Sequence, residues 1–152
     1  MAKKYVAVIY DDATQQKLRE WATNNGFDLG YGYGGEPKDP SEFEFHTTVF
    51  YTSNDIDHYE PPYKLIEAHR VVPVGFAMLG VDKDIPVLKV EPSGALAMLR
   101  QRYESLGYQD KWEQYIPHIS LSYAKQPVDT SNMAAPDFPL TFDRVKVEDL
   151  ME

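Results

Sequence analysis

Apolar and β-branched side chains crowd residues 5–10, YVAVIY, as in a strand with at least one face in a core. The period then changes. Over residues 13–25 Leu18, Trp21 and Ala22 share one helical face and Lys17, Arg19 and Glu20 take the others, with Asp11 and Asp12 as caps and Gly26 as a stop. Residues 30–40, GYGYGGEPKDP, are loop by glycine and proline content, a mobile surface element able to act as a lid. Strand composition returns over 43–52, FEFHTTVFYT, followed by a proline-bounded loop of acidic and aromatic residues over 54–63. Two further strands, 70–81 and 86–91, are joined into a hairpin by the turn Asp82-Lys83-Asp84. Pro92 and Ser93 open a second helix that carries Ala95, Leu96, Leu99, Arg102 and Tyr103 at helical intervals and stops at Gly107. Residues 116–124, IPHISLSYA, and 140–147 complete the strands.

The order strand, helix, strand thus occurs twice: 5–10, 13–25, 43–52, and again 86–91, 93–107, 116–124. Such a duplication places equivalent strands across a pseudo-twofold axis, with their open faces converging on one cleft. The chain length, 152 residues, fits a single domain over 1–152, and 43% hydrophobic residues are too many for intrinsic disorder.

Charge narrows the partners. With 15 Lys and Arg against 24 Asp and Glu the net charge is −9, which repels a long polyanion and argues against duplex nucleic acid. A small anionic ligand in a local pocket is compatible, because screening acts over ~8 Å. No apolar run approaches the ~20 residues of a membrane helix, and the opening Met1-Ala2-Lys3-Lys4 leads into a strand, so neither a membrane nor export is expected. The absence of cysteine removes disulfides and thiolate chemistry.

Two of the four histidines, His46 and His118, are followed two places later by a hydroxyl residue, Thr48 and Ser120. Both motifs fall in predicted strands, where positions i and i+2 share a face, so each presents an imidazole beside a hydroxyl. Two imidazoles with pKa values near about 6.5 can divide acid and base work at neutral pH. Beside a ribose 2′-hydroxyl, one histidine deprotonates that hydroxyl while the other protonates the leaving 5′-oxygen, and Thr48 and Ser120 hold the non-bridging phosphate oxygens. This scheme calls for no metal and no other cofactor. His58 and His69 have no ligand spacing to either motif and read as solvated side chains. The bland alternative makes the motif histidines ordinary strand residues, which requires two unrelated strands to reproduce one pattern.

Strand parity puts Phe50 and Ser122 on the face of the motif histidines and Phe45, Val49, Ile119, Leu121 and Tyr123 on the opposite, core face. Candidate base-binding residues are Tyr10, Phe76, the tyrosines of residues 30–35, and Glu148, which alternates outward from Val145 and Val147 and can receive a base amino group.

With His46-Thr47-Thr48-Val49 and His118-Ile119-Ser120-Leu121, the chain resembles the two-histidine (2H) phosphoesterase superfamily, marked by a duplicated His-x-Ser/Thr followed by an apolar residue. The resemblance implies an α+β, bilobal fold: two pseudo-symmetric halves, antiparallel sheets around a central cleft, helices outside. The FHTTVFY and IPHISLSY contexts, the length and the acidic composition look most like the phage anti-CBASS nucleases, which degrade the cyclic oligonucleotide messengers of bacterial antiphage defence. That likeness implies a cyclic oligonucleotide substrate and action in the cytoplasm of an infected host. Other members act on 2′-5′-linked oligoadenylates or RNA-end cyclic phosphates, and a non-catalytic nucleotide-binding module or an assembly protein are readings of another class.

Overall fold

The structure, a computed structural model, describes residues 2–150. Strand β1 (Ala2–Tyr10) leads into helix α1 (Asp12–Asn24), and a short 3-10 turn (Pro40–Glu42) precedes β2 (His46–Ile56). Strands β3 (Tyr63–Val71), β4 (Pro73–Leu79) and β5 (Ile85–Val90) come next, then helix α2 (Ala95–Ser105), β6 (His118–Ser120) and β7 (Leu140–Asp149). Two antiparallel sheets result, one in the order β2-β1-β7-β3 and one in the order β4-β5-β6. The fold is α+β, as expected.

Helix α1 starts where Asp11 accepts a hydrogen bond from the Thr14 amide at 2.8 Å, satisfying one of the amides the first turn leaves unpaired. Leu18 and Ala22 are buried, and Trp21 stacks on Phe27 and on Phe76 of β4, which joins this helix to the smaller sheet. Helix α2 begins two residues later than Ser93, at a Gly94 cap with φ of 59° and no side-chain hydrogen bond. It turns Leu96 and Tyr103 inward and touches β2 and β3. The core draws on Val6, Val8 and Tyr10 of β1, Phe142 and Val145 of β7, and Leu88 and Ile119 of the second sheet, in one contiguous cluster. Each such side chain contributes roughly 1.5–3 kcal/mol by leaving water.

The expected strand over 70–81 is two strands in different sheets. Val72 breaks the ladder before Pro73, which has no amide to donate, and the chain crosses there from β3 to β4. The stretch read as loop over 54–63 is shorter, because β2 runs on to Ile56 and β3 starts at Tyr63. His69 therefore lies in β3 with its ring 5.8 Å from Phe142, and His58 is held 3.1 Å from Glu60, so neither is a free solvated side chain. The hairpin of β4 and β5 forms as predicted, its turn bounded by Gly80 and Lys83 with positive φ. Around 30–40 the chain folds back through a bridge between Tyr31 and Pro37.

Candidate active site

Parity along β1 sorts the larger sheet. Val6, Val8 and Tyr10 enter the core, whereas Tyr5, Ala7 and Ile9 lie on the other face, opposite Tyr51, Thr48 and His46 of β2 and opposite Glu148, Lys146 and Arg144 of β7. In the smaller sheet Ile119 and Leu88 point into the core, while His118 and Ser120 occupy the other face opposite Lys89 and Val87. Strands β2 and β6 approach where the sheets meet, and the two histidines are close enough that the charge of His118 disfavours that of His46. His46, Thr48, His118 and Ser120 thus share one site.

Each imidazole is oriented the same way. Nδ1 of His46 donates to the Glu44 carbonyl at 3.2 Å and Nδ1 of His118 to the Ile116 carbonyl at 2.7 Å, in both cases two residues upstream. A carbonyl can only accept, so Nδ1 carries the proton and Nε2 is left for chemistry. Burial pushes both histidines below their ordinary pKa. For His46 the Glu44 carbonyl and carboxylate oppose this, and Lys146 and His118 add to it. Lys146 itself reaches Glu44 at 3.6 Å and Glu148 at 3.4 Å.

Both motif hydroxyls meet a phenol. Thr48 donates to the Tyr5 oxygen at 3.2 Å, and Ser120 lies close enough to the Tyr123 phenol to favour its ionised form against the opposing effect of burial. Parity fails just beyond the hydroxyl in each motif. On β2 Val49 is an extra residue between the pairs Thr48–Ala7 and Phe50–Val6, a bulge that turns Phe50 into the core and brings Tyr51 to the histidine face. After Ser120 the strand ends, so Ser122 is buried with its hydroxyl on the Asp28 carbonyl at 2.6 Å, and the Tyr123 ring lies against Phe43, their centres 5.5 Å apart. The expected sides of Phe50 and Ser122 are therefore reversed, whereas Tyr123 packs against the core cluster as expected.

Of the base-binding candidates, Glu148 lies on the histidine face opposite Tyr5, half exposed. Tyr10 does not: its ring is fully buried and its hydroxyl pairs with Thr47 at 2.8 Å on the core side. Phe76 also packs inward, parallel to Trp21 at 6.1 Å and in register with Leu88. Tyr33, at the tip of the folded-back loop, sets its ring edge-on to Tyr123 at 5.6 Å. The signal missed in the sequence was the parity of β1, which couples Tyr5 and not Tyr10 to the motif face. A second was the tyrosine five places after each motif histidine, Tyr51 and Tyr123. Surface hollows of about 410 and 370 Å³ lie elsewhere, lined by none of the four motif residues. Among the described residues no three His, Cys, Asp or Glu side chains group as metal ligands would, and no helix is long and apolar enough to cross a membrane.

The two antiparallel sheets, with the two His-x-Ser/Thr motifs on strands that approach one another, agree with the fold expected from the resemblance to the two-histidine phosphoesterases. The solved structure of E. coli LigT complexed with 3′-AMP is similar in fold, with a TM-score of 0.53 at 13% identity over 96% of this chain and 86% of that one. A structure described as a phosphoesterase gives a TM-score of 0.49 at 12% identity over 97% and 87%. No curated protein sequence matches the chain significantly. Residues 2–152 match the family described as anti-CBASS protein Acb1, and the chain belongs to that family.

Proposed function

We propose that the chain is a phosphodiesterase that opens 3′-5′ bonds of cyclic oligonucleotide messengers by 2′-hydroxyl attack, with His46 and His118 as base and acid. The observation that carries this is the pair of imidazoles, each with Nδ1 fixed on a carbonyl and a hydroxyl on the same strand face. The family's anti-CBASS description supports the messengers of bacterial antiphage defence as substrates, and so a place in the cytoplasm of an infected cell. The net charge of −9 favours a ring of few phosphates over a long strand.

Lys146 favours the neutral form of His46. His46 accordingly takes the 2′ proton on Nε2 as the 2′-oxygen attacks phosphorus. The P–O5′ bond breaks as His118 delivers its Nε2 proton to the departing oxygen, each transfer being worth roughly 10²–10⁴ in rate. Thr48 and Ser120 donate to the non-bridging oxygens as charge gathers there. The products are a 2′,3′-cyclic phosphate and a 5′-hydroxyl, and water opens the former with the histidines in exchanged roles. No metal ion is needed in either step.

His46→Ala and His118→Ala should each abolish turnover of a cyclic dinucleotide while leaving the circular dichroism spectrum unaltered. Either variant retaining more than a tenth of the parent rate defeats the two-histidine scheme. Tight binding of the ring without turnover by the parent chain would favour a nucleotide-binding module instead.

A further inference from the structure

From His46 a line of rings leads away along the strand face: Tyr5 stands edge-on to His46 at 6.3 Å, Tyr51 edge-on to Tyr5 at 6.3 Å, and Trp112 tilted against Tyr51 at 5.1 Å. Trp112 is 56% exposed, an unusual place for an indole unless its open face has a use. The Lys111 ammonium lies over both end rings, 5.3 Å from Tyr51 and 5.5 Å from Trp112. No carboxylate among the described residues is paired with Lys111, although the chain carries 24 acids, and the nearby Asp110 is engaged by Arg100 at 2.6 Å.

The backbone beneath is built and not draped. The Lys111 amide donates to the Tyr51 carbonyl at 2.8 Å, Ser53 donates to the Gln109 carbonyl at 2.9 Å, and Asp110 bridges to Thr52, so this segment extends the sheet beside β2. An indole face and a cation on one hydrogen-bonded sheet edge match a nucleobase and its phosphate.

We propose that Tyr51, Lys111 and Trp112 form a nucleotide subsite beyond the histidines, where Trp112 stacks a base and Lys111 meets a phosphate other than the one being cleaved. This rests on the reading of the site as one for a nucleotide phosphodiester, and it deepens that reading by giving the second unit of the ring a place.

The test uses the full chain. With Trp21→Phe, Trp112 becomes the sole tryptophan of the 2 present, and its fluorescence can be titrated with a cyclic dinucleotide. The subsite predicts saturable quenching, weakened about fivefold or more by Lys111→Met. In the otherwise unaltered chain Trp112→Ala should raise KM for the ring about tenfold, more than it lowers kcat. Tyr59→Ala, at a 73% exposed ring in the loop between β2 and β3, is the control expected to move neither. No quenching, or an unmoved KM in Trp112→Ala, overturns the subsite even if the ring is cleaved normally. If the chain cleaves nothing, quenching that depends on Lys111 upholds the subsite and removes the hydrolytic reading alone.

Discussion

The phenol of Tyr115 donates to the main-chain carbonyl of Thr48 at 2.7 Å, so the approach to the second histidine motif is hydrogen-bonded to the middle of the first. Arg100 of α2 reinforces the tie. Its guanidinium donates to the Val49 carbonyl at 2.8 Å and lies between the rings of Phe50 and Tyr115, 4.2 and 4.0 Å from their centres. Arg100 thereby engages the bulge that gives β2 its reversed parity.

Tyr115→Phe keeps the ring on Arg100 and removes only the hydroxyl, so it should cost about 1 kcal/mol of stability and lower kcat more than it raises KM. Urea unfolding and steady-state kinetics check both halves. An unchanged kcat would show that the tie does not set the spacing of the two histidines.

With Thr48 and Ser120 holding the phosphate as proposed, Thr48→Ala and Ser120→Ala should each cost one hydrogen bond to a charged group, roughly 1.5–3 kcal/mol, and lower kcat/KM about tenfold to a hundredfold. The fold should persist, since both side chains lie on the open face and not in the core. A variant with full activity would place its hydroxyl outside the reaction.

The two histidines and their hydroxyls were legible in the sequence because i and i+2 share a strand face whatever the strand's neighbours do. What followed Thr48 and Ser120 was not. A bulge at Val49 depends on how β2 pairs with β1, and the end of β6 depends on Ser122 finding the Asp28 carbonyl, both long-range events. Tyr10 looked like a base platform by residue type, yet its parity with Val6 and Val8 commits it to the core. The division at Pro73 was hidden because Val71, Val72 and Val74 have strand character on either side of the break.

Lys146→Met should move the acid limb of the kcat/KM profile to higher pH. Removing the ammonium lets His46 hold its proton to a higher pH, and leaving Glu44 and Glu148 uncompensated acts in the same direction. Because burial lowers both histidines, the parent enzyme's profile should be a bell whose limbs both lie below the ordinary histidine range in the free enzyme. The position of the limb, and not its height, is the readout. A limb that stays fixed would mean that His46 is not the base.

The nucleophile is tested most directly by incubation of the chain with a 3′-5′ cyclic ribodinucleotide and with its fully 2′-deoxy counterpart, both in EDTA, with products resolved by mass. The ribose ring should open to a linear product ending in a 2′,3′-cyclic phosphate, while the deoxy ring, unchanged in phosphate charge but lacking the attacking oxygen, should bind and stay intact. Cleavage of the deoxy ring at a comparable rate would mean that water attacks directly and would contradict the mechanism, even if His46 and His118 both proved essential.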